Sequence, residues 1–120
     1  MTTVRAGVLA SMESVDDGSF LVQLVWELGF YGRGCYYGRD NGCAVDGVKL
    51  RCILELSSMV SGRLEDVWSG RKVCSDKEFL ALLESKAVEG DCVGDLYGAA
   101  MRVREFIQFR ISSSDEQVGA

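Results

Sequence analysis

The chain contains no histidine, which removes the side chain most often used for general acid–base catalysis near neutral pH. Five cysteines stand at Cys35, Cys43, Cys52, Cys74 and Cys92. None forms a Cys-x-x-Cys pair, and without histidine a four-ligand zinc site would have to draw on scattered thiols. A cysteine nucleophile also lacks its usual imidazole base. Cys35 lies two residues from Arg33 in a glycine-rich stretch, so it is the candidate redox-sensitive thiol. Cys52 and Cys92 read as small core residues, a common role for free cysteine.

Carboxylates offer little more. Asp16 with Asp17 and Glu65 with Asp66 are adjacent pairs, and neighbours on a helix point apart, which suits capping and solvated faces. The stretch Gly32-Arg33-Gly34-Cys35-Tyr36-Tyr37-Gly38 does not complete a phosphate-binding loop. Tyr37 stands where the third glycine is needed, and no Gly-Lys-Ser/Thr follows. Asp40-Asn41-Gly42 with Asp46 lacks the remaining ligands of a calcium loop and reads as a type I′ turn signal. No metal, no cofactor and no catalytic residues are therefore expected.

The most distinctive cluster is Phe30, Tyr31, Arg33, Tyr36, Tyr37 and Arg39. Its aromatics and arginines crowd into ten residues, and these are residue types that dominate interface hot spots. Glycines at positions 32, 34 and 38 argue that the segment 30–45 is a loop, so that the aromatics cannot all turn into one core. These six residues are the candidate partner-binding surface.

The elements that position them follow from periodicity. Val4, Val8, Leu9 and Met12 fall at helical spacing. Asp16 or Asp17 can cap a second helix, in which Phe20, Leu21, Leu24, Val25 and Leu28 make one apolar face and Gly29 stands at a C-terminal left-handed position. Asp46 can cap a third helix from about 47 to 61, apolar around most of its surface, with Arg51, Glu55, Ser58 and Gly62 as its polar stripe. A short helical turn is expected at 64–68, closed by Gly70. Ser75 and Glu78 have capping-box spacing ahead of Phe79, Leu80, Leu82 and Leu83. Asp91 begins a final helix through Val93, Leu96, Tyr97, Ala100, Val103 and Ile107. Trp26 and Trp68 read as core or half-buried anchors.

The sequence thus predicts a mainly α protein, a compact bundle of five or six short helices. The rival is an α+β domain with a small antiparallel sheet, its strands near 3–13, 20–30 and 47–57. With 120 residues the chain fits one domain, placed at 1–111, with 112–120 as a flexible polar tail. No apolar run is long enough for a membrane span. The N-terminus lacks a signal-peptide core, and the odd cysteine count argues for reduced thiols. The expected location is the cytoplasm, with all five thiols free.

Net charge is −5, which disfavours nonspecific binding to nucleic acid. The charge is uneven. Residues 29–51 sum to +2, residues 76–95 to −4 and residues 102–110 to +2. Alternating patches suit a protein partner. The leading expectation is a non-enzymatic protein–protein interaction module, such as a small adaptor, inhibitor or accessory factor of the kind viruses encode. Its partner is another protein, a second copy of the chain included. Bcl-2-like and death-fold modules are similar in helix count and size, an analogy of architecture that no family motif supports. The alternative is a single-stranded RNA- or DNA-binding protein using the Arg/Gly/Tyr segment, and a third reading is a thiol-based redox regulator.

Overall fold

A computed structural model shows the protein as five α-helices. The structure describes the backbone of residues 2–13, 18–37, 47–71 and 73–119, and the side chains of 4–13, 18–30, 47–71 and 73–109. The helices are α1 (Thr2–Glu13), α2 (Ser19–Tyr37), α3 (Gly47–Ser69), α4 (Asp76–Glu89) and α5 (Val93–Gly119). The described residues contain no strand, so the α-bundle replaces the α+β rival.

The strand reading fails first on α3. Its buried residues Cys52, Ile53, Leu56, Val60, Arg63 and Leu64 recur at steps of three, four and one, the signature of one helical face rather than alternation. Two expectations for this segment are corrected. The helix does not stop near 61 but runs unbroken to Ser69, because Gly62 sits in open space and a helix tolerates one exposed glycine at a cost of about 1 kcal/mol. Nor is it buried on most sides: Val48 and Leu54 are exposed.

The helix ends are built as expected from hydrogen-bond supply. Ser75 accepts from the Glu78 N–H at 3.1 Å and caps α4. Gly70, at φ 76°, closes α3 in a Schellman motif, with Arg71 N–H donating to Asp66 O at 2.8 Å and Gly70 N–H to Val67 O at 3.3 Å. The same motif closes α4. Asp91 takes the left-handed position at φ 55°, Cys92 N–H donates to Ala87 O at 2.8 Å and Asp91 N–H to Val88 O at 3.2 Å.

Cross-helix contacts fix the packing order. Gly18, at the head of α2, lies against Leu64 and Trp68 at the far end of α3, while Val25 and Gly29 lie opposite Ser57, so α2 and α3 run antiparallel. Lys86 pairs with Glu55 at 2.8 Å and Asp76 with Arg63 at 2.9 Å, which makes α3 and α4 antiparallel as well. Glu27 meets Arg102 at 4.0 Å between α2 and α5, Arg5 meets Glu84 at 3.1 Å between α1 and α4, and Lys49 meets Asp95 at 3.4 Å between α3 and α5. Between these rims lies one core of Val8, Phe20, Leu24, Leu28, Ile53, Leu56, Val60, Leu80, Leu83, Leu96 and Val103.

Cys52 and Cys92 are joined in a disulfide that ties α3 to the corner between α4 and α5. This corrects the expectation of five free thiols. Both residues do lie in the core, as their apolar neighbours imply, but they meet there. Cys74 is free. Leu82, expected on the apolar face of α4, is instead exposed.

Candidate interaction surface

The surface is built on α2. Phe20, Leu21, Leu24 and Leu28 are buried and define its inner face. At 100° per residue the opposite face carries Trp26 and Phe30, one helical turn apart. Trp26 is 62% exposed and Phe30 55%. Both tryptophans are therefore corrected from the anchors expected, since Trp68 is 65% exposed too. For Trp26 the reason is geometric: the inner face of α2 is filled by leucines and Phe20, and the helix turns position 26 away from them.

The loop expected over 30–45 is corrected as well. α2 continues through Gly29, Gly32 and Gly34 to Tyr37. Nothing lies within contact of a Cβ placed on Gly29, so that glycine neither serves a close approach nor takes a cap conformation, and no proline stops the helix. Of the residues expected to bind a partner, Phe30 is exposed at the outer face. Tyr31, Arg33, Tyr36 and Tyr37 follow on the same helix, their side chains outside the described residues. Arg39, with the rest of 38–46, lies wholly outside them. In helical register Arg33 and Tyr37 fall seven and eleven positions after Trp26, on the stripe that Trp26 and Phe30 begin.

The exposure of Trp26 was not expected from its residue type. Its signal was its offset from the apolar face of α2, not its type. Beside it, Val25, Trp26, Gly29 and Ser57 line a shallow groove of about 390 Å³ between α2 and α3. On the other flank Glu27 reaches Arg102 of α5, and α5 exposes Met101, Phe106 and Phe109. Exposed large apolar side chains thus occur on both α2 and α5.

Polar side chains elsewhere are arranged to hold helices together. Arg63, 3% exposed, donates to Asp76 Oδ1 at 2.9 Å and to Cys74 Sγ at 3.3 Å, with its guanidinium 5.2 Å from the centre of the Phe79 ring. Burial and the hydrogen bond that the Tyr97 hydroxyl donates to Glu84 push that hydroxyl up to about 12. The Lys86 ammonium is raised by its hydrogen bond and charge attraction to Glu55. A second depression, of about 230 Å³, opens between α3 and the end of α4, where Cys52 and Gly90 meet Lys86 and Glu55.

No family model, curated protein or solved structure matches the chain.

Proposed function

We propose that the chain is a non-enzymatic protein–protein interaction module of the cytoplasm, which docks a protein partner on the outer face of α2. The reading is carried by one observation: Trp26 and Phe30 stand exposed at adjacent turns of one helix. Exposed large aromatics on a helix face are poorly explained by solvation, and they are the side chains that supply most binding energy in protein interfaces. Arg33 and Tyr37 extend the stripe in register, and Tyr31, Tyr36 and Arg39 flank it in sequence. A small adaptor, inhibitor or accessory factor fits this arrangement, with another protein or a second copy of the chain as partner. No helix among the described residues is long and apolar enough to cross a membrane.

The test is affinity capture with wild-type chain and with the double substitution Trp26→Ala, Phe30→Ala, followed by titration of whatever the wild type retains selectively. Selective loss of that protein, with unchanged far-UV circular dichroism, supports the reading. Equal retention by both chains sinks it. Affinity that falls by decades between low and moderate salt points instead to nucleic acid.

A further inference from the structure

We infer that the partner docked on α2 is a second copy of this chain, packed face to face across the groove between α2 and α3. The two-fold axis crosses both helices at the level of Trp26 and Ser58. The inference rests on the docking role proposed for α2 and commits it to one occupant. Register, shape and charge carry it.

The register follows from contacts between the helices. Gly18 of α2 lies against Leu64 and Trp68 of α3, and Val25, Trp26 and Gly29 share the groove with Ser57. In this antiparallel pair Trp26 stands level with Ser58, Phe30 with Leu54 and Val22 with Gly62. At 100° per residue Arg51, Leu54, Ser58 and Glu65 share one stripe, opposite buried Ile53, Leu56 and Val60. All four are exposed, so this stripe of α3 and the Trp26–Phe30 stripe of α2 form one outer face.

The face is uneven in a way that a half-turn corrects. On one side of the Trp26 level, about 6 Å along the axes, stand Phe30 and Leu54, both large and more than half exposed. At the same distance on the other side stand half-buried Val22 and Gly62, where a Cβ meets nothing within 4 Å. A two-fold at Trp26 turns the high end of one copy onto the low end of the other. Phe30 and Leu54 then fill the hollow at Val22 and Gly62. Trp26 meets its own counterpart at the centre, where aromatic anchors contribute most.

Charge follows the same symmetry. Arg51 precedes Ser58 by seven residues and Glu65 follows it by seven, each about 10 Å from the axis. Arg51 stands at the edge of the stripe, where it also borders the depression beside Glu55. The two-fold sets Arg51 of each copy against Glu65 of the other, so the interface closes with an ion pair at either end. A patch that is its own complement under a half-turn is what an isologous dimer needs, and no foreign partner requires it.

The experiment is analytical ultracentrifugation of the full chain from about 1 µM to about 1 mM, a range that captures weak self-association. Wild type is expected to pass from monomer to dimer as concentration rises, and Trp26→Ala to weaken the dimer at least about tenfold. Arg51→Glu and Glu65→Arg should each weaken it several-fold at low salt, because each sets like charges face to face. Mixing those two variants should restore association, since opposite charges then meet at both ends. Unchanged far-UV circular dichroism checks that each variant folds. The inference is overturned by a wild type that stays monomeric, by a dimer indifferent to Trp26→Ala, or by a mixture no tighter than either variant alone. None of these outcomes decides the α2 reading: a foreign protein lost with Trp26→Ala, Phe30→Ala keeps that reading and removes only the second copy.

Discussion

Arg63 of α3 and Asp76 at the start of α4 form an ion pair of 2.9 Å in which the arginine side chain is 2% exposed and the aspartate 13%. The pair bridges the α3–α4 connection, and the same guanidinium covers Phe79 and donates to Cys74. Its Nε is buried without a hydrogen-bond partner, and the Asp76 carboxylate is what meets this costly buried cation. Asp76→Ala is therefore expected to cost about 3–5 kcal/mol, the usual penalty for stranding one half of a buried pair. Adding Arg63→Met to Asp76→Ala should return part of that loss. Urea unfolding of the two variants checks both statements, and a double variant less stable than Asp76→Ala would contradict them.

Two glycines separate steric need from tolerance. Gly90→Ala forces a methyl into Cys52 and should destabilise by about 1–3 kcal/mol, as overpacking does. Gly62→Ala enters open space on an exposed helix turn and should stabilise by about 0.5–1 kcal/mol. Thermal melts that shift the two variants in the same direction would show that the α4–α5 corner is not packed as described.

Core and surface substitutions should divide sharply. Leu56→Ala and Leu83→Ala remove fully buried side chains and are expected to cost about 2–5 kcal/mol each. Trp26→Ala and Phe30→Ala should change stability by no more than about 0.5 kcal/mol, the range of ordinary surface sites. Emission from Trp26 and Trp68 should be red-shifted and open to quenchers in the free protein. Binding on α2 should shift and protect Trp26 alone, which Trp68→Phe makes directly readable.

Alkaline stability should report Tyr97. Its hydroxyl ionises at about 12 in the fold against an ordinary value of 10, because burial and Glu84 disfavour the phenolate. The folded state therefore keeps a proton that the unfolded chain releases. The stabilisation is fully present below about pH 10 and disappears as pH rises towards 12. Lys86 is raised in the same region by Glu55, so the comparison needs Tyr97→Phe, whose melting temperature should fall less steeply across this window. Parallel curves for the two proteins would refute the assignment.

What the residues alone disclosed was uneven, for physical reasons. α4 was legible because its start is local: Ser75 and Glu78 declare the cap, and Phe79, Leu80 and Leu83 share a face. The bundle itself followed from periodicity in the segments now seen as α1, α2, α3 and α5. The end of α2 was not legible. Glycine lowers helix stability by an amount that tertiary packing readily offsets, so Gly29, Gly32 and Gly34 signalled a break that the fold does not make. The exposure of Phe30 agrees with the surface position its segment suggested, whereas the exposure of Trp26 runs against the usual assignment of tryptophan to cores. The meeting of Cys52 with Cys92 has no sequence signature. Their separation of 40 residues is set by the antiparallel return of α4 beside α3, and pairings of that kind emerge only once the helices are docked.

The Cys52–Cys92 bond also gives the molecule a mechanical character. Pulled from its two ends, the chain can extend α1, α2, the first turn of α3 and all of α5, but the ring closed between Cys52 and Cys92, which holds most of α3 and all of α4, bears no tension along its contour. At about 3.4 Å per residue, roughly 135 Å of polymer stays hidden from the force until the bond is cut. A thiol added during extension would release that reserve as one discrete step, converting a chemical event into a length.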